Sequence, residues 1–140
     1  MKKVITTLLI LIASLSLFAF TASEMEGKWY LALKTPVGIK KGYLECKFSD
    51  DTNFTGTLNI FDKDNEVVNG VLKNDRFTFE GDIKFFGMIP YDAFGMVIDK
   101  GFVKTIVDSE KGMFLAVAYR DEEKLKDAKR ALKQFEKELK

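Results

Sequence analysis

From Gly27 to Arg120 apolar and polar residues alternate with a period of two, and turn residues interrupt the alternation at near-regular intervals. A period of two places successive side chains on opposite faces of a strand, so the pattern predicts short half-buried strands. The first runs from Gly27 to Lys34, with Trp29, Leu31 and Leu33 on one face, and Thr35-Pro36-Val37-Gly38 turns the chain. Strand two is Lys41 to Phe48, with Leu44, Cys46 and Phe48 inward; strand three is Asn53 to Phe61, with Phe54, Gly56, Leu58 and Ile60 inward. Strand four, Glu66 to Leu72, has no clear facing. Strand five, Arg76 to about Phe86, alternates most cleanly: Phe77, Phe79, Ile83 and Phe85 oppose Thr78, Glu80, Asp82 and Lys84. Gly81 falls on its apolar face, where a missing side chain permits a bend. Gly87 to Pro90 is read as a turn, Tyr91 to Ile98 as strand six, Phe102 to Asp108 as strand seven and Met113 to Arg120 as strand eight. Short loops join antiparallel neighbours, because a parallel crossover needs a dozen or more residues. Eight such strands can close on themselves and so remove their edges. The expected fold is all-β, an eight-stranded antiparallel up-and-down barrel, with a two-sheet sandwich as the competing arrangement.

After Arg120 the period changes. Asp121 to Lys140 is rich in Lys, Glu, Ala and Leu and lacks Gly and Pro, and Leu125, Ala128, Leu132, Phe135 and Leu139 recur at three- and four-residue steps. That is a helix with one apolar stripe, capped by Asp121. The stripe is expected to dock on the barrel or close one mouth; the competing reading is a weak homo-oligomer formed through this helix.

The first residues follow neither pattern. Met1-Lys2-Lys3 is basic, Val4 to Phe20 is uncharged and mostly apolar, small residues follow in Thr21-Ala22-Ser23, and the first acid is Glu24. This is the order of a secretory signal peptide. The small-x-small rule fits cleavage after Ser23, with cuts after Thr21 or Ala22 as alternatives. The competing reading, an uncleaved anchor, needs about 20 apolar residues to span a bilayer, and this run is slightly short. No cysteine follows the apolar run, which argues against a lipoprotein anchor. The expected organisation is thus a leader over 1–23, a barrel over 24–120 and a helix over 121–140, in a protein exported to the periplasm or beyond the cell, and the Lys-Lys start suggests a bacterium.

Composition narrows the chemistry. The chain is 46% hydrophobic and 31% charged with two prolines, which suits a globular domain. The formal charge of +1 becomes −1 once Lys2 and Lys3 leave with the leader, and no block of five like charges occurs, so a nucleic-acid partner is not expected. Outward strand positions carry Lys, Glu, Thr and Asp rather than a lipid-facing apolar band, which argues against a transmembrane barrel. Histidine is absent, and with it the usual general base and the commonest metal ligand. Asp62, Asp64 and Glu66 alternate like the start of a calcium loop, but Val67 stands where an EF-hand requires glycine. No catalytic residue, metal site or cofactor is expected. Cys46, the single cysteine, reads as a small buried hydrophobe, with an intermolecular disulfide as the alternative.

Gly27-Lys28-Trp29 on the first strand and Arg120 ending the last resemble the signature of the calycins: lipocalins, fatty-acid-binding proteins and avidins. The resemblance implies that Trp29 plugs one end of a lipocalin-like barrel with Arg120 lying across it as a structural pair. Gly27-x-Trp29, Thr35-Pro36-x-Gly38 and Phe54-x-Gly56-Thr57-Leu58 are also similar to small exported bacterial β-barrel modules, found alone after a signal peptide or fused to larger enzymes. The second half departs from these modules: Lys104-Thr105 stands where they usually carry another glycine, which weakens any expectation of a shared ligand.

Phe54, Leu58, Phe77, Phe79, Phe94 and Met96 are expected to face inward on strands three, five and six and to line a ligand site. A lining so poor in polar groups suits a small apolar molecule better than a sugar or nucleotide. Thr105, Tyr119 and Arg120 are the nearest polar anchors. Two readings of function stay open, a non-enzymatic carrier of a small apolar ligand and a solid barrel that contacts an unidentified protein as an inhibitor or envelope component. An enzyme built on carboxylates or tyrosines alone is the third and least favoured.

Overall fold

The structure, a computed structural model, describes residues 20–140; the leader expected over 1–23 therefore lies outside the described residues except for its last four. Eight antiparallel strands in sequence order form a closed barrel, β1 pairing with both β2 and β8. They are β1 (Gly27–Thr35), β2 (Gly38–Phe48), β3 (Asn53–Ile60), β4 (Lys63–Lys73), β5 (Arg76–Lys84), β6 (Met88–Asp99), β7 (Phe102–Ser109) and β8 (Gly112–Tyr119). A short helix, α1 (Ala22–Met25), precedes the barrel, and a 3-10 turn (Glu122–Asp127) leads into α2 (Ala128–Glu138) after it. No helix among the described residues is long and apolar enough to cross a membrane.

Two apolar clusters sit on opposite sides of the barrel wall. The inner one fills the barrel with Trp29, Leu44, Phe54, Phe77 and Phe79 among others; the outer one joins Ala32, Met96, Ile106, Val117 and Tyr119 to Ala128, Leu132 and Phe135 of α2. The helix stripe is thus buried on the outside of the barrel. Lys104 lies under the helix, where its Nζ meets Glu138 at 2.6 Å and the Phe135 ring centroid at 5.5 Å, and Lys34 meets Glu136 at 2.6 Å.

Burial on both faces explains where sequence facing failed. On β6 the inward positions are Tyr91, Ala93 and Val97, while Phe94 and Met96 face α2 on the outer wall, so their expected inward placement is corrected. β6 buries its bulk outward, against the helix. Gly95 points inward because Phe77, its cross-strand neighbour, fills that space: a Cβ there would stand 2.0 Å from Phe77 Cζ. On β4, Val67 and Leu72 are both buried inward although they differ in parity. Register shifts between Val68 and Val71, around Asn69 at φ 52°, and this bulge reverses the alternation. Pro90 lies within β6 rather than in the turn before it.

Candidate functional site

The two ends of the barrel differ. One end is closed from within by Trp29, 1% exposed, and from outside by Arg120. The guanidinium carbon lies 4.4 Å from the indole centroid, and its nitrogens donate to the carbonyl of Lys28 at 3.2 Å and to those of Glu24 and Glu26. The indole Nε1 donates to the Met25 carbonyl at 2.9 Å. Partial burial pulls the Arg120 pKa down from its ordinary value, and the ring of carbonyl acceptors offsets the lost hydration. Gly27 adopts φ +106°, and a Cβ there would meet Arg120 Nη1 at 2.9 Å, so the G-x-W glycine serves both backbone conformation and the approach of the arginine. This end is a structural plug.

The opposite end is open. The turns β1–β2, β3–β4, β5–β6 and β7–β8 surround a cavity of about 580 Å³, walled by Leu33, Pro36, Val37, Phe61, Ile83, Phe85, Phe86, Met88, Ile89, Tyr91, Val107 and Phe114. Phe61 and Phe85 meet across the rim at 4.4 Å between centroids, their planes tilted by 31°. The Asn65 side chain holds this rim together: its amide donates to the Leu58 and Lys63 carbonyls, both at 3.1 Å, and its Oδ1 accepts from the Lys84 N–H at 2.8 Å. The Thr35 and Ser109 hydroxyls donate to the Gly38 and Gly112 carbonyls of their own turns. The lining is therefore mostly apolar, with Glu110 and Lys111 of the β7–β8 turn as its charged members.

Below the mouth the barrel narrows. A separate void of about 40 Å³ lies among Leu31, Leu33, Leu58, Phe79, Ile83, Tyr91, Thr105, Ala116 and Ala118. Such a volume holds a water molecule but not a ligand. Small residues on β7 and β8 leave this gap, while Phe54, Phe77 and Phe79 pack the rest: Phe77 and Phe79 are stacked at 6.2 Å, and Phe54 meets Phe79 edge-on at 6.2 Å. Tyr91 borders both the void and the mouth cavity. Its ring lies beside Gly81, where a Cβ would stand 3.1 Å from the hydroxyl, and meets Phe79 edge-on at 6.0 Å. The hydroxyl is buried and has no hydrogen-bond partner among the described residues. Burial, with a smaller contribution from Asp82, pushes its pKa well above that of an ordinary phenol.

Of the six residues expected to line a ligand site, Phe54, Leu58, Phe77 and Phe79 share the inner core, and Phe94 and Met96 lie outside it. Among the expected polar anchors, Thr105 borders the small void, Tyr119 is stacked on Phe102 at 4.9 Å on the outer wall, and Arg120 belongs to the closed end. The mouth itself is not marked by strand periodicity: Phe61, Met88 and Tyr91 line it, and the alternation gives none of them a role there. The available signal was the run Lys84-Phe85-Phe86-Gly87-Met88, which puts Phe85, Phe86 and Met88 where turns ordinarily carry Gly, Pro, Asn, Asp or Ser.

No protein-family model matches this sequence, and no curated protein does. Among solved structures the chain is similar to designed barrels. A redesigned β-barrel superposes with a TM-score of 0.62 at 12% identity, covering 76% of this chain and 99% of that one. A second, mFAP1 bound to DFHBI, gives 0.55 at 13% identity over 71% of this chain and 97% of its own. A de novo fluorescence-activating β-barrel gives 0.53 at 17% identity over 71% and 96%. At such identities the likeness is one of fold: the chain is an eight-stranded antiparallel barrel with an added C-terminal helix.

Proposed function

We propose that this protein is an exported, non-enzymatic carrier of a compact apolar molecule, held in the open end of a calycin-like barrel. The observation that carries the reading is the asymmetry of the two ends: Trp29 and Arg120 close one, and an apolar cavity of about 580 Å³ opens the other. That volume lies within the range of small-molecule sites, which are mostly apolar with few placed polar groups. The packed aromatic core below the neck leaves no room for a long acyl chain, so the favoured ligand is short or ring-shaped. The unpartnered Tyr91 hydroxyl is suited to donate to a single ligand oxygen at the neck. A barrel of the same fold carries DFHBI, which supports small-molecule binding as a use of this architecture.

The test is native mass spectrometry and fluorescence titration with a panel of apolar aromatic and short aliphatic compounds. Val37→Asp and Met88→Asp, at exposed rim positions, should weaken binding at least about tenfold, or about 1.4 kcal/mol, without changing the unfolding midpoint. Binding that ignores both substitutions would place the ligand elsewhere. The protein-contact reading rests on a different observation: Phe86 is 97% exposed, Val37 72% and Met88 57%, an apolar rim of the kind that marks contact surfaces. Absence of binding across the whole panel would favour it.

A further inference from the structure

The residues just after the apolar leader are built into the closed end of the barrel. Phe20 is 4% exposed, its ring 6.3 Å from that of Trp29, and its N–H donates to the Asn74 carbonyl in the β4–β5 turn at 3.1 Å. Thr21 and Glu24 form a reciprocal capping box: the Glu24 N–H donates to Thr21 Oγ1 at 3.2 Å, and the Thr21 N–H donates to Glu24 Oε1 at 3.1 Å. The Glu24 carboxylate also meets Lys100 Nζ at 3.0 Å, on the β6–β7 turn. The box sets the path of α1, and α1 presents the carbonyls that Arg120 and the Trp29 indole bind. A cut after Ser23 would remove Phe20 and Thr21, and with them the Phe20–Trp29 contact, the bond to Asn74 and the capping box.

We infer that the leader is cut before Phe20, at the Ala19–Phe20 bond, so that the mature protein begins with a residue packed into the closed end of the barrel. This inference rests on the export reading. Water supplies a hydroxyl to the Ala19 carbonyl and a proton to the Phe20 nitrogen, in the ordinary hydrolysis performed by a leader peptidase. Ala19 provides the small side chain beside the cut, while the aliphatic Leu17 stands at the other position of the small-x-small rule, so the placement rests on the packing of Phe20 and Thr21 rather than on that rule. The product fits its surroundings. The new ammonium group keeps donors for the Asn74 carbonyl, and the adjoining Asp75 is 5% exposed with Oδ2 lacking any partner among the described residues. A carboxylate oxygen buried without a partner is costly, and a cationic amine created one residue away is a group that can supply one.

The full chain would be expressed in a Gram-negative bacterial host and the product recovered from periplasm and medium, with its N-terminus read by sequencing and intact mass. The expected sequence starts at Phe20. A start at Glu24, Ala22 or Ser23, or upstream at Leu17 or Phe18, overturns the placement of the cut while leaving export standing. A full-length mass in the membrane fraction overturns export, and the inference with it. Ala19→Arg should block the cut and accumulate uncut chain, whereas Ser23→Arg, at an exposed position, should leave the start at Phe20; the reverse pattern overturns the inference. Chains starting at Phe20 and at Glu24 should also differ in thermal midpoint by several degrees or more, and equal midpoints would remove the structural reason for the earlier cut.

Discussion

Replacing Arg120 with Met tests whether the closed end is held by the cation or merely by bulk. Met keeps most of the apolar stem but removes the charge over Trp29 and the donors to Lys28, Glu24 and Glu26. A cation over an indole contributes about 0.5–2 kcal/mol, and a hydrogen bond to a charged group about 1.5–3 kcal/mol when desolvated. Arg120 is only partly buried, so water replaces some of these bonds in the variant, and a net loss of about 2–4 kcal/mol is expected. Urea unfolding followed by circular dichroism measures it. The cycle completed with Trp29→Phe isolates the contact: a coupling of about 1 kcal/mol stands clear of the ~0.3–0.5 kcal/mol scatter of independent sites. Because guanidinium stays protonated, the loss should not change between about pH 5 and 9. A loss under about 0.5 kcal/mol, or strict additivity, would show that the arginine only lies near the ring.

Gly95→Val should destabilise by about 3 kcal/mol or more, since its Cβ would fall 2.0 Å from Phe77 Cζ in a filled core, and a change under about 1 kcal/mol in chemical denaturation would mean the core can yield there. Burial pushes the Cys46 thiol up to about 12, so native protein should resist alkylation at pH 8 and react once unfolded; rapid native labelling would contradict its burial. The sign follows from proton binding. Above the ordinary thiol pKa of about 8.5 the unfolded chain loses a proton that the folded chain keeps, so stability should fall between about pH 8.5 and 11 more steeply than in Cys46→Ala. Phe94→Ala should lower stability by about 2–4 kcal/mol through the helix-facing cluster while leaving affinity for any mouth ligand unchanged, and weakened binding would show that the helix and the cup communicate.

Strand periodicity, turn residues and the abrupt change at Asp121 were enough to specify eight antiparallel strands and a terminal amphipathic helix. Those signals are local: side-chain alternation is fixed by backbone geometry, and short loops leave little choice of neighbour. The inward faces of β2, β3 and β5 were legible because their outer faces meet water; β1 stayed legible although α2 covers Ala32, because its inward residues Trp29, Leu31 and Leu33 are the large ones. The face of β6 was not, because α2 covers its far side and burial on both faces erases the alternation; only the register with Phe77 decides that Gly95 points in and Phe94 out. The β4 bulge hid its facing for a related reason, since one irregular residue reverses parity. The mouth cavity belongs to the tertiary structure alone. Val37, Phe61, Phe85 and Tyr91 lie on separate turns and strands, and closure of the barrel, which no local pattern encodes, brings them around one opening. The same closure made Phe20 part of the plug: it reads as the end of an apolar run in the sequence and becomes a core residue once Trp29 and the β4–β5 turn surround it.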